Sequence, residues 1–511
     1  MRTLSRRQKL AAIIGGVLCG LSLPPFQLLW GYAVLPGLAL VMWSWNSCGT
    51  RRALLHGWLG GLGFFGVVLE WTRYFGVVAV APLVMYMALG WGVIAALSRS
   101  LRLPIAVRPW AIGAFWIAID GIYARAPFGG LPWGSVGLAM HNSWVRESAS
   151  VWGIAGVSFL LVVAAASIAQ AVATRGTLKQ RCMPLVHFDV ALVIAIAAVL
   201  FRSTPEEGKP LRIAALQANV WNRNPSYEEL ASRRWLSNAH LELASELHGR
   251  FDLIVFPESS LDGNDLERDS DLRARVVAVG ADHDSYVLAN GIRYKEDPYV
   301  NPNSLRYNTD YLYAPDGRLV GEYAKIHLVP FGEYLPLRGL LSWIPETERV
   351  GRFAPGNGFR DWNIRGVPIA NIICFESVFG PFTRDAVRST DAQIIVVATN
   401  NRSYERSGAS EQHVALSQFR AIELHRPVVH AADSGISAFI SADGNITARL
   451  ELFERGALVR TIRGATGDTL YLMWGDWLTM AGGLFTLGML LRSIAFRKHR
   501  ISSTAVEGAT A

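Results

Sequence analysis

Residues 367–377 read VPIANIICFES, a short apolar run that ends in a cysteine and a glutamate. Runs of this kind, rich in β-branched residues and bounded by turn residues, predict buried β-strands. They occupy residues 211–220, 251–259, 285–292, 367–375, 392–400 and 426–433. Helices are predicted between them, from Ser226 to about His248 and from Glu411 to His425. Alternating strands and helices predict an α/β domain whose central sheet is covered by helices, as in a layered sandwich.

The distribution of charge divides the chain into two parts. Of its 511 residues, 51% are hydrophobic and 18% are charged, whereas a soluble protein carries about 25% charged residues. Most of the 41 Asp and Glu residues lie within residues 208–468. This pattern predicts a membrane domain of about seven transmembrane helices at 1–207 and a soluble domain at 208–468. A last transmembrane helix and a cytoplasmic tail are predicted at 469–511.

Eight apolar runs approach the roughly 20 residues that cross a hydrocarbon core. They lie near residues 10–24, 27–46, 54–74, 76–97, 110–124, 148–173, 186–201 and 470–491. Lys and Arg are concentrated in alternate connections, which include Arg51, Arg52 and the basic stretch 175–181. Because cytoplasmic loops carry the excess of Lys and Arg, the amino terminus is predicted inside and the soluble domain outside. The net charge of +8 is assigned to these loops and anionic lipid, and no nucleic-acid partner is predicted.

Three reactive residues stand at the ends of predicted strands. Glu258 follows LIVFP, Lys325 follows LVGEYA, and Cys374 follows IANII. Such groups collect at the carboxyl ends of strands in open α/β sheets. Together they can carry out acyl chemistry: the carboxylate takes the thiol proton, the thiolate attacks a carbonyl, and the lysine stabilises the charge. Taken singly, each is more often a helix cap, a surface lysine or a small buried side chain.

The cysteine pattern and the known phosphate and metal motifs limit the chemistry further. Four cysteines without a CxxC pair exclude a disulfide scaffold and a structural zinc cluster. No phosphate-binding loop and no HExxH pair occurs, so neither a metal nor another cofactor is predicted. Cys374 is the only cysteine of the outer domain, where a spare thiol is expected to be either used or buried.

Three segments resemble the signatures of the nitrilase superfamily: FPESS (256–260), AKIHLVPFGEYLP (324–336) and IICFESVFG (372–380). With GFFGVVLEW (63–71), GLPWGSVG (130–137) and the predicted spans, the chain is similar to the membrane-bound branch, the apolipoprotein N-acyltransferases. The resemblance implies an αββα sandwich for the outer domain. It also implies Glu258 as general base, Lys325 as the stabiliser of the oxyanion and Cys374 as nucleophile.

The same resemblance implies three supporting residues. Glu333 matches a glutamate that orients the lysine or the bound intermediate, while Asn308 and Glu376 match further positions of the family. For the two glutamates an ordinary ion pair, with Arg338 or Arg384 respectively, is an equal alternative.

The chain departs from the family in one loop near the nucleophile. The family reads Trp-Phe-Gly where this sequence has Ser403, Tyr404 and Glu405. Because that loop lines the acyl entrance in the family, Tyr404 and also Phe375 are expected beside the substrate. The substitution leaves open an acyltransferase paralogue with a different acceptor.

The segment YLPLRGLLSWIP (334–345) carries six large apolar side chains in twelve residues. Two interpretations are open, since an apolar patch of this size is unfavourable in water. The segment either packs into the domain core or rests on the bilayer and admits acyl chains. In the second case Leu340 and Leu341 contact lipid, and Trp343 lies at the headgroup level, where indole is favoured.

The function implied by the resemblance is lipoprotein maturation at the bacterial inner membrane, with the catalytic domain in the periplasm. An acyl chain passes from a phospholipid resembling phosphatidylethanolamine, through a cysteine thioester, to the α-amino group of the diacylglyceryl-cysteine of an apolipoprotein. The expected partners are this donor, the diacylated acceptor and the bilayer. Two alternatives are a membrane-tethered amidase or hydrolase of nitrilase type, with water as acceptor, and a transporter or sensor with a degenerate enzyme domain.

Overall fold

The computed structural model describes residues 2–75, 77–101, 103–220, 234–297, 300–301, 304–341, 343 and 350–507. The chain forms two compact units, Met1–Arg202 with Asp476–Ala511, and Ser203–Gly475. The second unit is therefore an insertion between the last two long helices of the first.

The first unit is built from helices. They span Arg2–Leu21, Val34–Trp45, Thr50–Val68, Val77–Ser100, Arg108–Tyr123, Ala149–Ala173, Leu178–Cys182, Val186–Leu200 and Trp477–Glu507. Four described stretches are long and apolar enough to cross a membrane: Val80–Ser100, Trp144–Ala173, Leu178–Leu200 and Trp477–Ala495. Helices also cover the other four predicted spans, but they do not meet both criteria, so the count of eight spans stays a prediction.

Small residues let the first helices of this unit approach closely. A Cβ atom added at Gly16 would overlap the carbonyl oxygen of Gly60 on the helix Thr50–Val68. Without side chains at this crossing, the two backbones pack directly, which is the usual device of helix pairs in lipid. Nearby, the rings of Phe64 and Trp91 stack with their centroids 4.9 Å apart.

The second unit contains two sheets of six strands. The strands are β1 (Glu206–Gln217), β2 (Leu253–Val255), β3 (Tyr286–Tyr294), β4 (Arg306–Tyr313), β5 (Leu319–Ala324), β6 (Trp362–Ile364), β7 (Val367–Ile373), β8 (Ile394–Thr399), β9 (Val428–Ala432), β10 (Ser437–Ile440), β11 (Ile446–Leu450) and β12 (Gly456–Thr466). Their order is β12-β1-β2-β3-β4-β5 in one sheet and β11-β10-β9-β8-β7-β6 in the other. All six predicted strands are present.

Alternation along the strands explains why the sheets stack. Ile213 and Ile369 point into a core that the two sheets share, whereas their neighbours Ala214 and Ala370 face outward. Because successive side chains of a strand point to opposite faces, each sheet has a second apolar face to cover. Helices Trp235–Ser245 and Ser270–Asp282 cover one sheet, and Gly380–Thr390 and Ala409–Leu424 cover the other.

These layers form the predicted αββα sandwich. Of the helix predicted from Ser226, the structure describes Trp235–Ser245, and its predicted start at Ser226 lies outside the described residues. The parallel strands β2, β7 and β8 and the antiparallel strand β5 end next to Glu258, Cys374, Asn400 and Lys325 respectively.

Candidate active site

Glu258 and Lys325 form a buried ion pair. Lys325 is 1% exposed, and its Nζ lies 3.1 Å from Oε1 of Glu258 and 3.1 Å from Oε1 of Glu333. Burial alone would lower the pKa of Lys325, but Glu258 and Glu333, with further contributions from Cys374 and Glu376, raise it well above its ordinary value. The lysine is therefore a permanent cation between two carboxylates.

Two further donors hold Glu258 in place. The amide Nδ2 of Asn308, on β4, donates to Oε1 of Glu258 over 2.7 Å and to Oε1 of Glu333 over 2.9 Å. The backbone N–H of Asn400, just after β8, donates to Oε2 of Glu258 over 3.0 Å. A carboxylate that accepts hydrogen bonds on both oxygens has a defined orientation, which a general base requires.

Cys374 lies at a sharp turn directly after β7. Its φ of +51° is in the left-handed region, which is unfavourable for a residue with a side chain. The pKa of its thiol is raised to about 12, first by burial and then by Glu258, while Lys325 and hydrogen bonds from Thr399 and Asn400 lower it. Burial thus favours the neutral thiol over the thiolate.

Glu376 joins the turn at Cys374 to the segment after β5. Its Oε1 accepts from the N–H groups of Ile326 and His327, and its Oε2 accepts from the N–H of Ile373 and the hydroxyl of Tyr323. Burial raises the pKa of Glu376 to about 7, although these backbone donors and Lys325 oppose the rise. The side chain of Glu376 thus connects the segment that follows Lys325 to the turn at Cys374.

The alternative interpretation of the two glutamates as partners of nearby arginines is wrong. Glu333 pairs with Lys325, and Arg338 instead donates to the carbonyl of Gly351. Arg384 pairs with Asp385, while Glu376 is fully buried.

The two aromatic residues expected beside the substrate are both buried. Tyr404 belongs to a short 3₁₀ helix, Arg402–Tyr404, and burial together with Cys374 and Glu258 raises the pKa of its hydroxyl well above the ordinary value. Phe375 packs edge-to-face on Phe379 with a centroid distance of 5.0 Å, and His327 stacks on the same ring at 3.9 Å.

The segment after Glu333 is mixed in its exposure. Leu335 is buried, as core packing requires, but Leu340 is 67% exposed and Trp343 is 78% exposed. Leu340 and Leu341 end the short helix Arg338–Leu341. The side chain of Leu341, together with Ser342 and Ile344, lies outside the described residues. Core packing therefore accounts for only part of this segment.

Sequence reasoning missed a second set of polar residues behind the site. Asn290 on β3, Asp310 on β4 and Asn371 on β7 are buried and hydrogen-bonded to one another. The sequence feature that could have indicated them is a polar residue within each of three apolar strands, in the segments LAN, YNTD and IAN. Within the described ranges, no group of three or more His, Cys, Asp or Glu residues could hold a metal ion.

Comparison with known proteins identifies relatives of both parts of the chain. Residues 212–470 match the family model of carbon-nitrogen hydrolases, and residues 15–167 match that of the apolipoprotein N-acyltransferase N-terminal domain. The apolipoprotein N-acyltransferase of Geobacter metallireducens is 28% identical over 535 residues, which cover 97% of this chain and 96% of that protein. The enzyme of that name from Methylococcus capsulatus is 28% identical over 504 residues, 92% of each chain. Among solved structures, an amidase from Nesterenkonia sp. aligns with a TM-score of 0.37 and 18% identity, over 51% of this chain and 93% of that chain.

Proposed function

Because this chain belongs to the carbon-nitrogen hydrolase family, we propose that it is an apolipoprotein N-acyltransferase that works through a Cys374 thioester. The donor is a phospholipid such as phosphatidylethanolamine, and the acceptor is the α-amino group of the N-terminal diacylglyceryl-cysteine of an apolipoprotein. The observation that carries the proposal is the buried Glu258–Lys325–Cys374 cluster in a chain that matches such enzymes along almost its whole length.

The first half-reaction forms the acyl-enzyme. Glu258 takes the proton of the Cys374 thiol as the sulfur attacks the carbonyl of the donor ester, and the ammonium group of Lys325 stabilises the resulting oxyanion. When the tetrahedral intermediate collapses, Glu258 returns the proton to the departing alkoxide. The products are a thioester on Cys374 and a lysophospholipid. The raised pKa of Cys374 supports this order, since the thiol stays protonated until its base acts.

The second half-reaction transfers the acyl group to nitrogen. The free amine of the diacylated lipoprotein attacks the thioester carbonyl, Glu258 takes a proton from the attacking nitrogen, and Lys325 again faces the oxyanion. Collapse expels the Cys374 thiolate, which recovers its proton from Glu258. The product is an amide and the enzyme returns to its starting state. The energy of the donor ester drives the reaction, so the scheme needs no cofactor.

The membrane setting supports the same proposal. We place the helical unit in the bacterial inner membrane and the catalytic unit on the periplasmic side. In this orientation the basic connections 51–52 and 175–181 of the helical unit face the cytoplasm. Leu340 and Trp343, exposed seven and ten residues after Glu333, are suited to rest on the outer leaflet and admit acyl chains. Tyr404 and Phe375 are assigned to the acyl-binding side of the nucleophile.

The proposal is tested with the purified full-length protein in phospholipid–detergent micelles. A phospholipid with a labelled sn-1 acyl chain should leave a hydroxylamine-sensitive label on the protein, and a synthetic diacylated lipopeptide should remove that label and become triacylated. Cys374→Ala should abolish the label. Glu258→Gln and Lys325→Met should slow its formation by about 10² to 10⁴-fold, the range for acid-base and oxyanion groups.

Two outcomes would contradict parts of this scheme. Release of labelled fatty acid without any lipopeptide product would identify a hydrolase that uses water as acceptor. Normal labelling of Glu258→Gln and Lys325→Met, with only the second transfer blocked, would contradict the roles assigned to these two residues.

A further inference from the structure

We propose that Asp310 is a positioning residue that sets the direction of a buried chain of side-chain amides ending on Glu258 and Glu333. The proposal rests on the function proposed above and adds residues that do not touch the substrate. The chain runs from Asp310 to Asn290, from Asn290 to Asn308, and from Asn308 to the two carboxylates.

The strand register brings these side chains together. Asn290 on β3 stands opposite Asp310 on β4. Asn308 precedes Asp310 by two residues and therefore lies on the same face of β4. Nδ2 of Asn290 donates to Oδ1 of Asp310 over 2.8 Å and to Oδ1 of Asn308 over 2.9 Å. Nδ2 of Asn308 then donates to Oε1 of Glu258 and Oε1 of Glu333 over 2.7 and 2.9 Å.

Each side-chain amide in this hydrogen-bonded series has only one orientation that satisfies the donors and acceptors around it. Above its pKa of about 7 the carboxyl group of Asp310 is ionised and only accepts hydrogen bonds, so it turns the nitrogen of Asn290 toward itself and toward Asn308. The N–H of Ser259 enforces the same orientation by donating to Oδ1 of Asn290 over 2.7 Å. Asn308 consequently receives a donor at its oxygen, and its nitrogen faces Glu258 and Glu333. Reversal at Asn290 would turn the oxygen of Asn308 toward two carboxylates.

The burial of these polar groups costs free energy of folding, which suggests that they serve the site and not stability. Asp310 is fully buried, Asn290 is 2% exposed and Asn308 is 8% exposed, and apolar residues of similar size usually pack such interiors at least as stably. On its other side, Oδ2 of Asp310 accepts from Nδ2 of Asn371 on β7 over 2.6 Å. Burial raises the pKa of Asp310 to about 7, against the two asparagine donors, with Glu258 raising it and Lys325 lowering it. The carboxyl group thus joins the two sheets directly behind the catalytic base.

Two double variants of the full-length protein have the same number of buried carboxyl and amide groups but differ in the direction of the hydrogen bonds that lead to Asn308. Asp310→Asn with Asn371→Asp keeps the acceptor toward Asn290, because the new amide at 310 donates to residue 371. Asp310→Asn with Asn290→Asp keeps one carboxyl and two amides in the same three positions but reverses the chain, so that Asn308 donates toward residue 290.

The readouts are the rate of thioester formation from labelled phospholipid and the pH dependence of Cys374 alkylation by iodoacetamide. We expect the direction-keeping variant to form thioester within about threefold of the unmodified protein. The reversed variant should lose about 10²-fold, the usual effect of removing one preorganised donor. In the reversed variant the midpoint of alkylation should also move up, since an amide oxygen of Asn308 that faces the site disfavours the Cys374 thiolate. Misfolding would instead expose the thiol, and alkylation would then follow the profile of an ordinary cysteine with a midpoint of about 8.5, so the midpoint would move down.

Equal activity of the two double variants, or equal loss with an unchanged midpoint, would overturn the proposal. If either variant does not fold, Asn290→Leu and Asn371→Leu serve as a matched pair. Both remove one donor to Asp310, but only Asn290→Leu disconnects Asn308, so only it should slow thioester formation by tenfold or more; equal rates would again overturn the proposal. Alkylation needs no lipid substrate, so failure of the proposed function would appear separately, as absence of labelling in the unmodified protein.

Discussion

Nζ of Lys325 lies 3.1 Å from Oε1 of Glu333, and the same carboxylate accepts at Oε2 from the N–H of Val329 over 2.8 Å. The glutamate therefore connects the lysine to the backbone of the segment that precedes the exposed residues Leu340 and Trp343.

Glu333→Gln should slow thioester formation by about 10²-fold while leaving folding intact. The substitution removes one of the two carboxylates that orient Lys325, and misplaced oxyanion donors typically cost this much. The measurement is the single-turnover rate of labelling by phospholipid. Arg338→Gln is the matched control, since Arg338 contacts the carbonyl of Gly351 instead of Glu333. A loss of equal size in both variants would show that the effect comes from the segment as a whole.

Glu405→Gly should stabilise the protein. Glu405 has φ 45° and ψ −142°, a conformation that essentially only glycine adopts without strain, and such strain costs about 1–3 kcal/mol. We expect a gain of about 1 kcal/mol and a rise of roughly 2–4 °C in the midpoint of thermal unfolding of the detergent-solubilised protein. Glu405→Ala also removes the carboxylate but keeps a Cβ atom, and it should bring no such gain. Equal midpoints for the glycine and alanine variants would contradict the assignment of strain.

Glu376 and Asp310 should each stabilise the folded catalytic unit more under acidic than under neutral conditions. Burial raises their pKa values to about 7 in the folded state, above the ordinary carboxyl values of about 4. Between about pH 4 and pH 7 each of the two groups therefore binds more protons in the folded than in the unfolded state, and its contribution to stability falls as pH rises through this window. Buried histidines whose pKa is lowered, such as His240 and His413, contribute with the opposite sign. The test is therefore the difference in denaturant midpoint between the unmodified protein and Glu376→Gln from pH 5 to pH 8: the unmodified protein should lose stability relative to the variant as pH rises, and a constant difference would contradict the assignment to Glu376.

Leu340→Asp should impair turnover of phospholipid more than turnover of a short, water-soluble thioester. Leu340 is 67% exposed, so a carboxylate there costs little in water but opposes contact with lipid. Leu319→Asp is the control, since Leu319 is partly exposed at the start of β5, the end away from Lys325. Emission from Trp343 should be quenched by brominated lipids. Equal impairment on both donors would show that acyl chains enter elsewhere.

Cys182 reports the orientation of the helical unit. It is exposed, whereas Cys19, Cys48 and Cys374 are buried, and it follows the basic stretch 175–181 that we place in the cytoplasm. A membrane-impermeant maleimide should label it only after spheroplasts are opened. Cys182→Ser with Asp316→Cys moves the thiol to the exposed β4–β5 turn of the catalytic unit, which should react in intact spheroplasts. The reverse pattern would invert the topology.

The six strands were predictable from the chain itself because the signal is local, whereas the αββα arrangement followed only from the resemblance to the nitrilase superfamily. Apolar residues that alternate or run continuously over five to nine positions specify a strand wherever it lies, and VPIANIICFES shows this in a single segment. The identity of Glu258, Lys325 and Cys374 as candidates was also local, since each directly follows such a run. Charge distribution, which the order of residues alone determines, predicted a soluble domain at 208–468, and the compact unit of mixed helices and strands spans Ser203–Gly475.

Only the tertiary structure determined which side chains pair with one another in ion pairs and buried hydrogen bonds. The sequence alone allows Glu333 to pair with Lys325 or with Arg338, and in the folded protein it pairs with Lys325. Nothing in the order of residues states that Asn290 stands opposite Asp310 and that Asn371 reaches the same carboxyl group from the other sheet. Likewise, Leu335 and Leu340 belong to one apolar segment, yet only the first is buried. The physical reason is range: strand periodicity depends on neighbours along the chain, whereas a buried hydrogen bond depends on register and on how two sheets meet.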